Sequence, residues 1–354
     1  MAARISEVTP EGTSEETPEE TPEETPEETP EETPERTSEV TSEVICFASL
    51  DGFGGCVTSC RSAAAVLGGS WVALDRHAAP PPAVLEAALV VLSSWDDSYD
   101  RVLELRAGPT VLRWHSPVLQ SELGQEGWKV ARVVELLDAG AVPALAVNDA
   151  SFVDVLGRAG VVHLPDVLDT TEYASIEPAP LEGVNVSLFG AGHWRKNVFV
   201  QAAAFELARD GDWTLHLNGQ TSNPAYADWL AATRIPYVEH VYLDRNAYLS
   251  LVAAMDAGLC ASLSESYCYV AADHVSLGVP IVTSPGVACL AGGALEAARP
   301  GDVELVARLL TAAIESPTTL AAQQASLTER AAGNAELARA GLDAILELTS
   351  AARR

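Results

Sequence analysis

From residue 44 onward, short apolar runs alternate with segments whose apolar residues recur every three to four positions. Val44-Ile45-Cys46-Phe47-Ala48 is unbroken and too short for a helix, the pattern of a strand covered on both faces. The same reading predicts strands over 71–74, 88–93, 110–114, 143–147 and 160–164, and helices over 56–67, 128–137 and 151–159. A polar, Pro-containing stretch over 170–183 reads as a linker, after which the pattern restarts. Strands are predicted over 184–189, 213–217, 238–242, 257–261 and 280–283, with helices over 197–209, 225–233, 246–255 and 269–277. Ala/Leu-rich helical stretches over 303–314 and 320–348 close the chain. Such alternation predicts an α/β protein of two doubly wound, Rossmann-like halves, with ligand between them at the carboxyl ends of the strands. The expected division is a tail over 1–43, domains over 44–175 and 176–335, and a C-terminal helix over 336–354.

Composition changes this picture mainly at the N-terminus. Two domains fit 354 residues, and 48% hydrophobic with 6% aromatic residues predicts cores of Ala, Val and Leu. Residues 9–44 are a degenerate Thr-Pro-Glu-Glu array, most regular over 17–35. Proline at every fourth position removes helical hydrogen bonds and the glutamates repel one another, so the segment is expected to be a disordered, extended spacer. A tether to a partner and a run of modifiable threonines are the sharper readings.

The formal charge of −29 is uneven: residues 1–44 hold 15 Glu against Arg4 and Arg36, and the rest holds 35 acids against 19 bases. An acidic folded part argues against non-specific nucleic-acid binding through counterion release. The six cysteines sit singly in apolar segments without Cys-x2-Cys spacing, which predicts buried reduced thiols in a cytoplasmic protein and no metal site. The histidines lack ligand spacing, and Asp96-Asp97-Ser98 is not an Asp-x-Asp motif, so no essential metal is expected. The chain shows no apolar leader and no run of about 18 apolar residues, hence no expected transmembrane segment. Gly52-x-Gly54 begins like a dinucleotide fingerprint, but Val57 holds its last glycine position, which disfavours NAD.

Two segments carry candidate chemistry. In Ser264-Glu265-Ser266-Tyr267-Cys268, a polar turn joins a strand to a helix, and the free amides of a helix start suit a diphosphate. Glu265 precedes that helix, and Asp273 lies about two turns inside it, placed to meet opposite ends of one extended ligand. An N-cap with a surface acid is the plainer reading of the same residues. The second segment is Phe189-Gly190-Ala191-Gly192-His193-Trp194-Arg195-Lys196, a Gly-rich strand-to-helix turn. Lys196 and Lys129 are the chain's only lysines, and a Lys beside a glycine loop at a helix start suggests a point charge for phosphate. The plainer reading is an exposed basic pair.

From residue 44 to the C-terminus these residues resemble the retaining GT-B glycosyltransferases. The family's Glu-x7-Glu signature and Gly-x-Pro turn read here as Glu265-x7-Asp273 and Gly278-Val279-Pro280, with Asp as a departure one methylene shorter. The resemblance implies that Glu265 lies by the donor sugar and Asp273 by the nucleotide ribose. Gly54-Gly55 resembles the glycine pair facing the donor phosphates, and His115 the histidine near the reacting sugar. Leu164-Pro165-Asp166-Val167-Leu168-Asp169-Thr170 resembles the family's linker motif, departing at Asp166 and Leu168. Asn218-Gly219 resembles the strand end near the base. Arg195-Lys196 resembles the diphosphate-binding basic pair, although Ala191 stands where the family often has Arg.

The expectation is a retaining, metal-independent transferase using a UDP- or GDP-linked sugar as co-substrate and no cofactor. His115, Glu265 and Lys196 are the expected catalytic residues. Gly54, Gly55, Gly190, Arg195, Lys196, Asn218, Gly219, Ser266, Tyr267, Cys268 and Asp273 are the expected donor site. The acceptor is left open among a small molecule, a lipid, a protein and modified DNA. The alternatives are a viral-type transferase acting on a hydroxymethylated base and a non-catalytic nucleotide-sugar-binding module.

Overall fold

A computed structural model describes residues 44–52, 54–118, 120, 126–190, 193–241 and 243–352; the Thr-Pro-Glu-Glu array and its expected disorder lie outside the described residues. Apolar strands separated by helices form two parallel sheets. The first contains β1 (Ile45–Leu50), β2 (Ser70–Leu74), β3 (Leu89–Ser93), β4 (Thr110–Trp114), β5 (Leu145–Val147) and β6 (Val161–His163), in the order β2-β1-β3-β4-β5-β6. The second contains β7 (Val184–Phe189), β8 (Trp213–Asn218), β9 (Tyr237–His240), β10 (Ala257–Leu259) and β11 (Ile281–Val282), in the order β11-β10-β7-β8-β9. Helices α1 (Gly54–Leu67), α2 (Pro82–Glu86), α3 (Tyr99–Leu105), α4 (Gly127–Asp138) and α5 (Ser151–Leu156) accompany the first sheet. The second is accompanied by α6 (Val198–Ala208), α7 (Pro224–Thr233), α8 (Arg245–Ala253), α9 (Tyr269–Ser276) and α10 (Val303–Glu315).

Alternation along each strand explains why both faces are covered. In β3, Val90 and Leu92 join a core with Trp95, Leu112 and Val147, while Leu89 and Val91 join another with Phe47, Cys60 and Ala146. A single apolar run therefore supplies two cores, as a parallel sheet between helix layers requires. Each order also reverses once, between β1 and β3 and between β7 and β10. These switch points open crevices at the carboxyl ends of the strands, where ligands of open α/β sheets bind.

The last helix, α11 (Pro317–Ala352), serves both halves. Its Gln323 brackets β11, accepting from the Ile281 amide at 3.1 Å and donating to the Ile281 carbonyl at 2.6 Å. Further along, Asn334 donates to the Asp166 carbonyl at 2.9 Å, and Ala338, Leu342 and Ile345 enter the core beneath β1, β3 and β5. The helix expected over 320–348 is thus longer and runs unbroken through position 336.

Several ends differ from the pattern-based expectation. Helix α5 stops at Leu156 because Gly157 takes a left-handed cap (φ 54°). Strand β10 stops at Leu259; beyond it the Ala261 amide is taken by the Gln201 side chain at 2.7 Å instead of a neighbouring strand. Strand β9 covers Tyr237–His240 and leaves Val241 exposed, while Tyr242 lies outside the described residues. Helix α9 begins at Tyr269 as expected, where Cys268 before it holds a left-handed φ of 73°, and ends at Ser276, one residue early.

Candidate active site

The second switch point brings the two candidate segments together. The loop after β7 carries Gly190 and residues 193–197, and the loop after β10 carries residues 260–268. Because β7 and β10 pair directly, both loops leave the sheet side by side. Backbone and side-chain bonds then join them. The Leu263 amide donates to the Arg195 carbonyl at 2.7 Å, and Asn197 Nδ2 donates to the Ala261 carbonyl at 3.2 Å. Buried Gln201 spans both, donating to the Lys196 carbonyl at 2.5 Å while accepting from the Ala261 amide. A third loop joins when the Glu265 amide donates to the Gly286 carbonyl at 3.0 Å.

At this junction Lys196 Nζ lies 2.6 Å from Glu265 Oε1, and Arg195 Nη1 lies 3.1 Å from Glu265 Oε2. Gly190 makes the approach possible. It has φ 116°, and a Cβ there would press on Lys196 Cε and Nζ at 3.3 and 3.4 Å. Burial pushes the Glu265 carboxyl upward, but the Lys196 ammonium and the Arg195 guanidinium outweigh it and hold the group below the usual glutamate value. Burial likewise lowers the Lys196 ammonium, and Glu265 more than reverses it, so the amine is held cationic. The pair is a preorganised cationic site whose charge is met internally by one carboxylate. Ala191 and Gly192 of the glycine loop lie outside the described residues.

Asp273 is placed differently from Glu265. It is buried at 1% exposure, and Arg245 Nη1 and Nη2 donate to its two oxygens at 2.8 and 2.7 Å. The Tyr173 hydroxyl donates to Oδ1 at 2.8 Å, and Glu172 grips the far side of Arg245. This cluster ties α9 to α8 and to the connection between the halves. Asn218 ends β8 beside Phe189 of β7, and Gly219 follows in a left-handed turn (φ 76°) with open space at its Cβ.

In the first half, Gly54 and Gly55 open α1 on an exposed surface, and Phe53 before them lies outside the described residues. His115 leaves β4 and is buried. Its Nε2 lies 2.9 Å from Ser93 Oγ and its Nδ1 3.3 Å from Asp166 Oδ1. Asp166 also accepts from Arg113 Nη2 at 3.0 Å and from the Ser59 hydroxyl. Burial raises the Asp166 carboxyl, and His115 and Arg113 pull it well below the carboxylate range. The residue that departs from the family's linker motif is therefore the counter-ion of two buried cationic or cationisable groups. Across the halves, Gln120 Nε2 donates to Ser264 Oγ at 3.4 Å, and the Tyr269 hydroxyl donates to the Val167 carbonyl at 3.0 Å.

Beside the Glu265 loop is a cleft of about 400 Å³, bounded by Asn148, Asp149 and His163 on one side and Ser264, Ser266 and Tyr267 on the other. The Tyr267 hydroxyl is buried there with no hydrogen-bond partner among the described residues. Among the described residues, one set of side chains has the proximity of a metal site: Cys260, Glu265 and Cys268.

Sequence reasoning did not single out Arg245, Gln120 or Gln201, and it noted Asp166 only as a departure. An apolar-flanked glutamine and a helix-start arginine carry no local signal. Asp166 did carry one, as a charge at a position flanked by apolar residues.

This architecture is shared with solved glycosyltransferases. A UDP-forming α,α-trehalose-phosphate synthase from Burkholderia xenovorans matches with a TM-score of 0.59 at 12% identity, over 87% of this chain and 99% of that chain. The E. coli trehalose-6-phosphate protein solved with UDP-2-fluoro glucose matches with a TM-score of 0.54 at 14% identity, over 74% and 73% of the two chains. TarM matches at 0.53 and 11% identity, over 74% of this chain and 54% of its own. No protein-family model and no curated protein sequence matches the chain. The chain has the GT-B fold: two Rossmann-like halves facing one cleft.

Proposed function

We propose that the protein is a retaining glycosyltransferase that moves a sugar from a nucleoside diphosphate donor. The observation that carries this reading is the Arg195–Glu265–Lys196 cluster at the β7/β10 switch point. The donor's diphosphate takes the cations, and Glu265, released from them, orients sugar hydroxyls. Two fixed cations in a half-buried site stabilise the charge that develops on the departing phosphate, the largest requirement of this reaction, so no metal is needed for that role. Transfer takes place on the face the leaving group vacates, with the departing phosphate accepting the proton. UDP is the favoured nucleotide, since the E. coli structure holds a UDP-sugar. Gly54-Gly55 and His115 close on the donor from the first half, with Asp166 fixing the His115 ring. Asn218 and Gly219 border the base. Asp273, through Arg245, shapes the ribose side.

The acceptor enters the cleft beside Glu265. Its volume of about 400 Å³ and its hydroxyl, amide and imidazole lining suit a monosaccharide or its phosphate. A Burkholderia trehalose-phosphate synthase with 15% identity was solved with glucose-6-phosphate. The acidic folded part weighs against a DNA acceptor. The test is transfer from UDP- and GDP-sugars to a panel of sugars and sugar phosphates, read by mass. Wild-type turnover that persists unchanged in both Lys196→Ala and Glu265→Ala would remove this site assignment.

A further inference from the structure

We propose that Cys260 and Cys268 are a redox modification site: a peroxide oxidant joins them in a disulfide that closes the loop bearing Glu265. The two Sγ atoms are 3.2 Å apart, both buried, one just past the end of β10 and the other immediately before α9. Everything between them is the loop that carries Ser264, Glu265 and Ser266. Cys268 occupies a backbone position, φ 73°, that ordinarily selects glycine. A side chain retained there at a conformational cost points to a use for the thiol.

The neighbourhood suits the chemistry. Cys268 hydrogen-bonds to the Cys260 sulfur and holds that thiol below its usual pKa, while Cys268 itself is pushed well above its own by that bond and by burial. Burial and the Glu265 carboxylate oppose the lowering at Cys260, and Lys196 offsets part of their effect, so the Cys268 hydrogen bond decides the direction. Cys260 is then the attacking sulfur. Its thiolate takes one oxygen of hydrogen peroxide, forming a sulfenic acid and releasing water once a proton is supplied. The Cys268 sulfur attacks the sulfenic sulfur, its proton leaving with the hydroxyl as a second water. Two thiols and one peroxide thus give one disulfide and two waters, with the sulfurs oxidised by two electrons and the peroxide reduced. A thiol reductant reverses the step.

A disulfide bond is about 2.05 Å long, so closure draws the sulfurs about 1 Å nearer and moves the loop's two ends together. Metal binding by the same residues is disfavoured because Lys196 already sits on Glu265. The consequence for function rests on the reading of this loop as the donor site: a displacement of about 1 Å in a positioning loop is enough to weaken binding and slow transfer.

The experiment treats the full chain with hydrogen peroxide, then alkylates it under denaturing conditions and maps peptides by mass. UDP and GDP affinity is measured on reduced and oxidised samples. The expected result is a mass loss of two hydrogens, a crosslinked 260/268 peptide, and nucleotide binding at least about tenfold weaker, restored by reductant. Cys289→Ala is expected to crosslink as the wild type does, and Cys260→Ser not at all. An oxidised wild-type chain still alkylated at all six free cysteines overturns the site, whatever the variants do. A 260/268 crosslink with unchanged nucleotide affinity overturns its link to the donor loop. A reduced protein that binds no nucleotide while the crosslink forms counts against the proposed function and leaves the modification site standing.

Discussion

Lys196 Nζ and Glu265 Oε1 lie 2.6 Å apart across two loops that are 69 residues apart in sequence but leave neighbouring strands. On the proposed reading of this site, the carboxylate occupies in the free protein the charge position that a diphosphate takes in the complex. Binding and chemistry therefore place opposite demands on Glu265. Glu265→Gln is expected to bind free UDP as tightly as wild type or more tightly, while its transfer rate falls at least about 100-fold. Titration calorimetry with UDP and initial-rate kinetics separate the two; a parallel loss of both would show that Glu265 mainly holds the loop.

The same pair makes a stability prediction. Lys196→Met leaves a carboxylate that is 6% exposed with Arg195 as its remaining cation, at a cost of about 3 kcal/mol. Lys196→Met with Glu265→Leu removes both charges and recovers most of that loss, read from urea unfolding midpoints at constant m.

Asp273 and Arg245 form a second buried pair, bidentate at 2.8 and 2.7 Å. Asp273→Ala should destabilise the fold by about 3–5 kcal/mol, because it strands an arginine that Glu172 alone then serves. Tyr173→Phe removes one hydrogen bond and should cost about 1 kcal/mol. If Asp273 also shapes the ribose side, Tyr173→Phe raises KM for the donor with kcat little changed.

Acid should weaken the protein before its carboxylates titrate. His216 bonds to Asn185 and His240, and His274 to Ser187 and the Val270 carbonyl; burial lowers each of their pKa values to about 4. Each is neutral in the folded chain and binds a proton on unfolding once the pH falls below its unfolded value near 6.5. The stability they contribute is complete above that value, declines as the pH drops toward about 4, and then levels off. The loss is on the order of 2–3 kcal/mol for each. Thermal melts from pH 7.5 to 4.5 should show this slope, and His216→Gln should reduce it. Depressed carboxylates at Glu265 and Asp166 add a further loss as the pH falls below about 4 and through their own lower values.

Gly341 tests the return of the last helix. A Cβ there would run into the His163 carbonyl oxygen and approach Leu164 Cδ1 at 3.4 Å. Gly341→Ala should therefore lower stability by about 1–3 kcal/mol despite alanine's higher helix propensity. Gly333→Ala, with open space around it in the same helix, should be neutral or stabilising. Denaturant curves of the two variants decide this.

Sequence pattern alone determined the architecture. Short, continuously buried runs such as Leu89–Ser93, separated by helical periodicity and restarting at Val184, require parallel sheets with two covered faces. It also located the two loops that meet at the switch point, because glycines and cations at a strand-to-helix turn are local signals. Strand order, and with it the pairing of Lys196 with Glu265, followed only from tertiary structure, since β7 and β10 pair although two strands and three α-helices lie between them in the chain. The tertiary structure likewise enclosed Asp273 with Arg245 and Tyr173, set Asp166 against His115, and placed the Cys260 and Cys268 sulfurs in contact. Periodicity reports which face of an element is buried; it contains no term for what a polar group meets there. That is fixed when chain segments from 8 to 100 residues apart are brought together by the burial of their apolar neighbours.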